Sequence, residues 1–197
     1  LEQDRDPLLA AITHFTEPRG ASTTRATQMA AWTGAACSAN GNGGEQSSKN
    51  GNERLRMAAT MLAMAAIRIE PNMRLAHCTD WALHKRWLGL DHRGRAMLAA
   101  ALRGSLGKPE PTAALKDLAS EEDLNEAAAW GLAIRLCRRL GAGSRSSLLT
   151  SSLTRTDDAL ELWVEPARRQ LLFGNVESEL RNLAQWLDLD WKIAEDS

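Results

Sequence analysis

The sequence predicts a mainly α-helical chain closed by a small ββαβ appendage, and three observations carry that prediction. Residues 53–107 hold three helical segments with very short joints, where apolar residues recur at the three-and-four spacing of a helix face. Residues 121–140 sustain the same spacing over one longer stretch. After Ser151 the period drops to two in Leu160-Glu161-Leu162-Trp163-Val164, as in a half-buried strand. These changes divide the chain into a helical domain over 1–150 and an α/β appendage over 151–197.

Taken in order, Asp6-Pro7 opens a first helix, since proline's fixed φ and missing N–H are tolerated in a first turn. Leu8, Leu9, Ile12 and Phe15 form its apolar face, and Glu17-Pro18-Arg19-Gly20 breaks it. Thr23 or Thr24 caps a second helix carrying Met29, Trp32 and Cys37. Residues 39–52 are polar and Gly/Asn-rich, too poor in apolar surface to offset the entropy of ordering, and read as a flexible loop. Their Gly-Asn-Gly-Gly has neither a preceding strand nor the Lys-Ser/Thr of a phosphate-binding loop.

In the central block Leu55, Ala58, Ala59, Leu62, Ala66 and Ile69 line one helix face until Pro71 stops it. Leu75, Cys78, Trp81 and Ala82 face inward from the next helix, which Gly89 ends. Asp91 caps a third over 92–106. The many alanines on these faces let helix axes approach toward the short end of the usual range of about 8–10 Å.

Lys108-Pro109-Glu110-Pro111 is a rigid connector to a short helix over 112–118. Ser120 then caps the helix over 121–140. Its first-turn Glu121, Glu122 and Asp123 and its last-turn Arg135, Arg138 and Arg139 complement the macrodipole. Leu124, Ala127, Ala128, Trp130, Leu132 and Leu136 supply its buried face, and Gly141-Ala142-Gly143-Ser144 terminates it. In the appendage, Gln170-Leu171-Leu172-Phe173 is the expected hairpin partner of 160–164, Asn175 caps a helix over 176–187, and 189–193 form a last strand. So small an appendage cannot bury both faces of its sheet alone and must pack on the helices.

Composition narrows the class. A hydrophobic fraction of 44% supports a globular core in which seven Trp, beside two Phe and no Tyr, supply most large anchors. No apolar run approaches the roughly 20 residues needed to span a bilayer, and no membrane partner is expected. The opening Leu1-Glu2-Gln3-Asp4-Arg5-Asp6 is unlike a signal peptide. Cys37, Cys78 and Cys137 lack metal or disulfide spacing, which favours a reducing, cytoplasmic location. The missing initiator Met is expected of a piece of a longer chain.

The net charge of −1 hides a segregation. Residues 54–108 hold ten Lys/Arg against three Asp/Glu, and 135–155 hold five against none. Residues 109–134 hold one against six, and 156–197 hold four against ten. Blocks of this size create a local field, and the simplest reading is solvated helix faces. The sharper reading is a polyanion site built from Arg68, Arg74, Lys85, Arg86, Arg93, Arg95 and Arg103, joined by Arg135, Arg138, Arg139 and Arg145. Nucleic acid would use the same chemistry, but no recognition-helix or RNA-binding signature accompanies these arginines, so it is not expected. His77, Asp80 and His84 fall at i, i+3 and i+7 on one helix face; adjacent Lys85 and Arg86 favour a polar surface cluster over a metal site. Asp91-His92 is a helix start before it is a catalytic pair, and His14 stands alone, so no catalytic residue is assigned.

Leu55-Arg56-Met57-Ala58-Ala59-Thr60-Met61-Leu62 with Ile67, then Leu75-Ala76-His77, then Trp87-Leu88-Gly89-Leu90-Asp91-His92 with Arg95-Ala96-Met97-Leu98-Ala99, resembles the C-terminal region of the exopolyphosphatase and guanosine pentaphosphate phosphatase family. That resemblance implies an HD-like helical domain followed by a small α/β tail, with catalysis in actin-like domains upstream. His77 matches a family histidine. Where the family often has Leu-His-Asp/Glu-x-Gly, this chain has Leu62-Ala63-Met64-Ala65-Ala66, and where a His pattern often closes the third helix it has Arg103-Gly104-Ser105. Ala63 and Met64 cannot supply imidazole or carboxylate ligands, so no metal or cofactor is expected here. The divalent metal, Mg²⁺, belongs to the parent enzyme. The resemblance further implies polyphosphate or guanosine pentaphosphate as ligands of the parent, a homodimer, and no hydrolysis by this region alone. The alternative is a catalytically dead HD-like module serving as a scaffold or protein-interaction unit.

Overall fold

A computed structural model describes residues 6–37, 46–140, 144–172 and 174–194. Helices α1 (Pro7–Thr16), α2 (Thr23–Cys37), α3 (Gln46–Ala66), α4 (Arg74–Leu83), α5 (His92–Ser105), α6 (Ala113–Lys116), α7 (Glu121–Arg139) and α8 (Arg145–Leu149) precede strands β1 (Ser151–Arg155) and β2 (Ala159–Val164). A 3-10 segment (Pro166–Leu172), helix α9 (Val176–Trp186) and strand β3 (Asp190–Ala194) complete the tail. The chain is mainly α with a small α/β tail, in the order the sequence predicts.

Local chemistry sets most boundaries. The Asp6 carboxylate accepts from the Leu8 and Leu9 amides, Asp91 from Gly94, Ser120 from Asp123 and Ser144 from Ser147. Ser22, not Thr23 or Thr24, stands before α2 and accepts from the Arg25 amide at 3.5 Å.

Helix α7 is the axis of the molecule. Residues 127–134 are buried without a break, as expected of a helix with neighbours on all sides, and it packs on α5, α2, α9 and α3. Its closest approach is to α5, where two glycines meet. A Cβ on Gly131 would stand 2.1 Å from the Ala101 carbonyl oxygen, and one on Gly104 would stand 2.6 Å from that of Ala128. The crossing is therefore closer than alanine permits.

The core is continuous from Leu8 and Ile12 through Leu62, Met97 and Trp130 to Leu160, Leu162 and Leu180. Trp32, Trp81, Trp87 and Trp130 are buried, while Trp163, Trp186 and Trp191 are half-buried in the tail. Phe15 meets Trp81 and Trp87 edge-on, with centroids 5.1 and 5.5 Å apart.

Two expectations are corrected. Within the stretch read as a flexible loop over 39–52, residues 46–52 are the opening turns of α3, and 39–45 lie outside the described residues. Tertiary anchoring overrides their weak helix propensity: Asn52 donates to Glu126 Oε2 at 3.0 Å and accepts from Arg93 at 3.3 Å. The hairpin partner of β2 is β1 and not 170–173; residues 170–172 belong to the 3-10 segment, and Phe173 lies outside the described residues. Pro166 supplies the fixed φ that starts that segment. Thr156 ties the turn between β1 and β2, donating its amide to the Ala159 carbonyl at 2.9 Å.

The sheet runs β1-β2-β3, antiparallel between the first pair and parallel between the second. Leu153 faces Leu162 and Leu160 faces Trp191 in register. The tail docks through polar contacts as well as its core. Trp32 Nε1 donates to Ser151 Oγ at 3.1 Å, Trp186 Nε1 donates to the Asn125 carbonyl at 3.0 Å, and Arg135 Nε meets Glu179 Oε2 at 2.7 Å.

Candidate functional site

Several of the seven cations of the sequence-predicted polyanion site, Arg68, Arg74, Lys85, Arg86, Arg93, Arg95 and Arg103, are committed to contacts within the fold. Arg93 grips Asp123 with both Nε and Nη2, the Nε bond being 2.9 Å, and this contact holds the Asp123 carboxyl below its ordinary range. Arg95 Nη1 donates to the carbonyls of Ala82, Leu83 and Lys85, closing the end of α4. Arg103 donates to the Glu110 carbonyl at 3.2 Å. Lys85 lies over the Phe15 and Trp87 rings, 4.6 and 5.3 Å from their centroids. The Arg68 guanidinium lies against Gly20, and Arg86 is exposed. Neither pocket described below is lined by Arg68, Lys85, Arg86, Arg95 or Arg103.

The seventh, Arg74, stands elsewhere. Its Nε and Nη2 donate to the carbonyls of Ile69 and Ile67, each at 2.8 Å, so it braces the turn between α3 and α4. It also lines a pocket of about 560 Å³ with Lys108, Arg135, Arg138 and Arg139. The remaining wall is Ile67, Pro71, Asn72, Leu75, Ser105 and Leu106. Five cations from the start of α4, the segment after α5 and the end of α7 thus converge on one space.

The sequence explains the α7 contribution. Arg135, Arg138 and Arg139 recur at i, i+3 and i+4, which puts them on one face of the last turns. The negative end of the macrodipole favours them there. It does not explain why Arg74 and Lys108 join from two other segments.

Acid is scarce in this cluster. Glu179 of α9 is buried and meets Arg135 Nε at 2.7 Å and Arg139 Nε at 3.6 Å. Arg138 is half-buried and, among the described residues, has no carboxylate within ion-pair distance. Burial, then the charges of Arg74, Arg135 and Arg139, push its pKa below the ordinary arginine value.

A second pocket, of about 450 Å³, lies between α3 and the start of α5 and is lined by Gly51, Arg54, Leu55, Gly89, Leu90, Asp91, Arg93 and Gly94. Its cations are already engaged, Arg54 with Asp6 at 3.5 Å and the Gly89 carbonyl at 2.7 Å, and Arg93 with Asp123. Of these two pockets, the first gathers the larger set of cations.

His77, Asp80 and His84 are all exposed; the His77 ring rests 6.3 Å from that of Trp81, and His84 follows the last residue of α4. His14 and His92 are exposed too. Ala63 and Met64 are buried in α3. Among the described residues no three His, Cys, Asp or Glu side chains gather closely enough to hold a metal ion. Burial pushes the Cys78 thiol up to about 11 and the Cys137 thiol up to about 12, which keeps both protonated at neutral pH. Arg145, placed with the cations by charge alone, is exposed at the start of α8 and does not line the pocket. Lys108 is the contributor that sequence reasoning did not name, because it reads as part of a proline connector. Among the described residues no helix is long and apolar enough to cross a membrane.

Comparison with known proteins agrees with the helical architecture. The family described as "Exopolyphosphatase, C-terminal" matches residues 8–186. None of the curated proteins matches the chain. With nearly its whole length accounted for by that match, the chain belongs to the exopolyphosphatase C-terminal family.

Proposed function

We propose that this chain serves an exopolyphosphatase as an accessory region that binds and guides polyphosphate and supports a homodimer. Hydrolysis, with its Mg²⁺, is assigned to an actin-like catalytic part and not to these residues. The single observation that carries the reading is the convergence of Arg74, Lys108, Arg135, Arg138 and Arg139 on one pocket in which, among the described residues, the only carboxylate partner is Glu179. Polyphosphate has no bases to read, so spaced cations with phosphate-matching forks suffice to hold it. For the dimer, Ile67, Met73, Leu88, Leu118 and Leu149 are exposed apolar residues that a second copy could cover.

The test is binding of long-chain polyphosphate to the purified chain across a salt series. Affinity should fall steeply as salt rises, because exposed charges are screened over about 10 Å at 0.1 M ionic strength. Phosphate release should stay at the blank level with or without Mg²⁺.

The scaffold reading keeps one supporting observation: Arg74, Arg93, Arg95 and Arg103 all hold the protein's own backbone or carboxylates. Salt-insensitive association with another protein, without polyphosphate binding, would favour it.

A further inference from the structure

The five-cation pocket has a shape that narrows its ligand. A long polyanion lying across a protein needs a track of spaced cations, and the three candidates on α5 are committed to the fold. Arg93 is closed on Asp123, Arg95 on the end of α4, and Arg103 on Glu110. What remains is compact. The pocket's volume of about 560 Å³ sits within the range of roughly 300–1,000 Å³ typical of small-molecule sites. Its cations come from three segments around one centre and not from one exposed ridge.

We infer that this pocket is a binding site for a short oligophosphate, a group of a few linked phosphates with high charge density, and not a segment of a continuous polyphosphate track. The inference rests on the polyanion reading above and specifies its ligand.

Arg138 is the residue around which the site is built. Its neighbours Arg74, Arg135 and Arg139 carry its own sign, and Glu179 is shared between Arg135 and Arg139, so a bound oligophosphate supplies the missing counter-charge. The free form bears the cost of that repulsion, as ligand sites often do. Helix α4 also begins at the pocket without a side-chain cap, and the positive end of its macrodipole adds to the cation cluster without replacing it. The lining also includes apolar Leu75, Leu106 and exposed Ile67. Two sources therefore fit the same phosphate chemistry, inorganic tripolyphosphate and the phosphate tail of a nucleoside triphosphate.

The experiment is calorimetric titration of the 197-residue chain with orthophosphate, tripolyphosphate, ATP and long-chain polyphosphate at one fixed salt concentration. Tripolyphosphate should bind with one ligand per chain, more tightly than orthophosphate and as tightly per site as the long polymer. Arg138→Gln should weaken it by about tenfold or more, the scale of a lost charge-assisted hydrogen bond, while the melting temperature of the free protein holds or rises. Lys108→Gln, at an exposed position, reads the same loss if the first variant folds poorly. ATP tighter than tripolyphosphate identifies the nucleotide source, and the reverse order identifies the inorganic one. Binding of long polymer without binding of tripolyphosphate would overturn the compact site and leave the polyanion reading standing. Binding of neither would overturn both, as would binding of all four unaffected by Arg138→Gln and Lys108→Gln for this pocket.

Discussion

On α5, Arg93 closes on Asp123, Arg95 reaches three carbonyls at the end of α4, and Arg103 reaches Glu110. At the end of α7, Arg135 and Arg139 share one carboxylate, Glu179, and Arg138 has none at ion-pair distance among the described residues. The two helices lie against each other and draw on the same residue type. Each member of the first set holds a part of the fold, and in the second Arg138 makes no ion pair among the described residues. Charge density along a sequence therefore locates cations without telling which are free. The acceptors within reach decide that, and they come from other elements.

The contrast depends on the close crossing that carries both sets, so the largest expected effect comes from prying it apart. Gly131→Ala puts a Cβ 2.1 Å from the Ala101 carbonyl oxygen, which a backbone atom cannot yield without moving a helix. Destabilisation of about 3 kcal/mol or more is expected, beyond the usual overpacking range, and chemical denaturation measures it. A stable, unchanged Gly131→Ala protein would mean that α5 and α7 do not cross as described.

Next comes the fold-holding set. Arg95→Ala leaves the carbonyls of Ala82, Leu83 and Lys85 without their shared donor and should cost about 2–3 kcal/mol, as for a hydrogen bond to a charged group. A loss of polyphosphate affinity without loss of stability would place Arg95 in the ligand set instead.

The smallest of the three concerns the partly exposed pair of Arg93 and Asp123. Asp123→Asn should cost about 1 kcal/mol at neutral pH, since the Arg93 side chain is 40% exposed and solvent screens the contact. The pH dependence has a definite sign. The folded Asp123 carboxyl titrates below its unfolded value, so its contribution is fully present above the unfolded pKa and is lost as pH falls through the lowered folded one. The wild type and Asp123→Asn should therefore converge in stability in acid and separate toward neutral pH. Parallel curves would remove the pair from the stabilising set.

Much of the fold was legible in residue order. Asp6, Asp91 and Ser120 cap helices as their positions suggest, and Leu124, Ala127, Ala128 and Leu136 are buried at their predicted spacing. β1 was harder to see because Leu153 is its one large apolar residue, and its pairing with β2 is set by the Thr156 turn. Helix over 46–52 was illegible, since contacts from Asn52 to Glu126 and Arg93 hold it across the fold. The candidate site was legible only in part. The i, i+3, i+4 spacing of Arg135, Arg138 and Arg139 is visible, and so is the absence of acid from 135–155. That Arg74 and Lys108 meet them depends on how α4 and α5 end, which spacing along one helix cannot report. Gly131 and Gly104, each inside a helical run, were the local signs of the crossing.

The central claim is that the position of cations, and not their number, makes the site. It is tested most directly by polyphosphate binding to two charge-matched double variants in one salt concentration. Lys108→Glu with Arg138→Glu changes the pocket, while Arg86→Glu with Arg168→Glu makes the same change in net charge at exposed residues outside it. The first pair should lose binding, and the second should retain most of it. Equal losses in the two proteins would contradict the account, because a diffuse field and not a site would then be holding the anion.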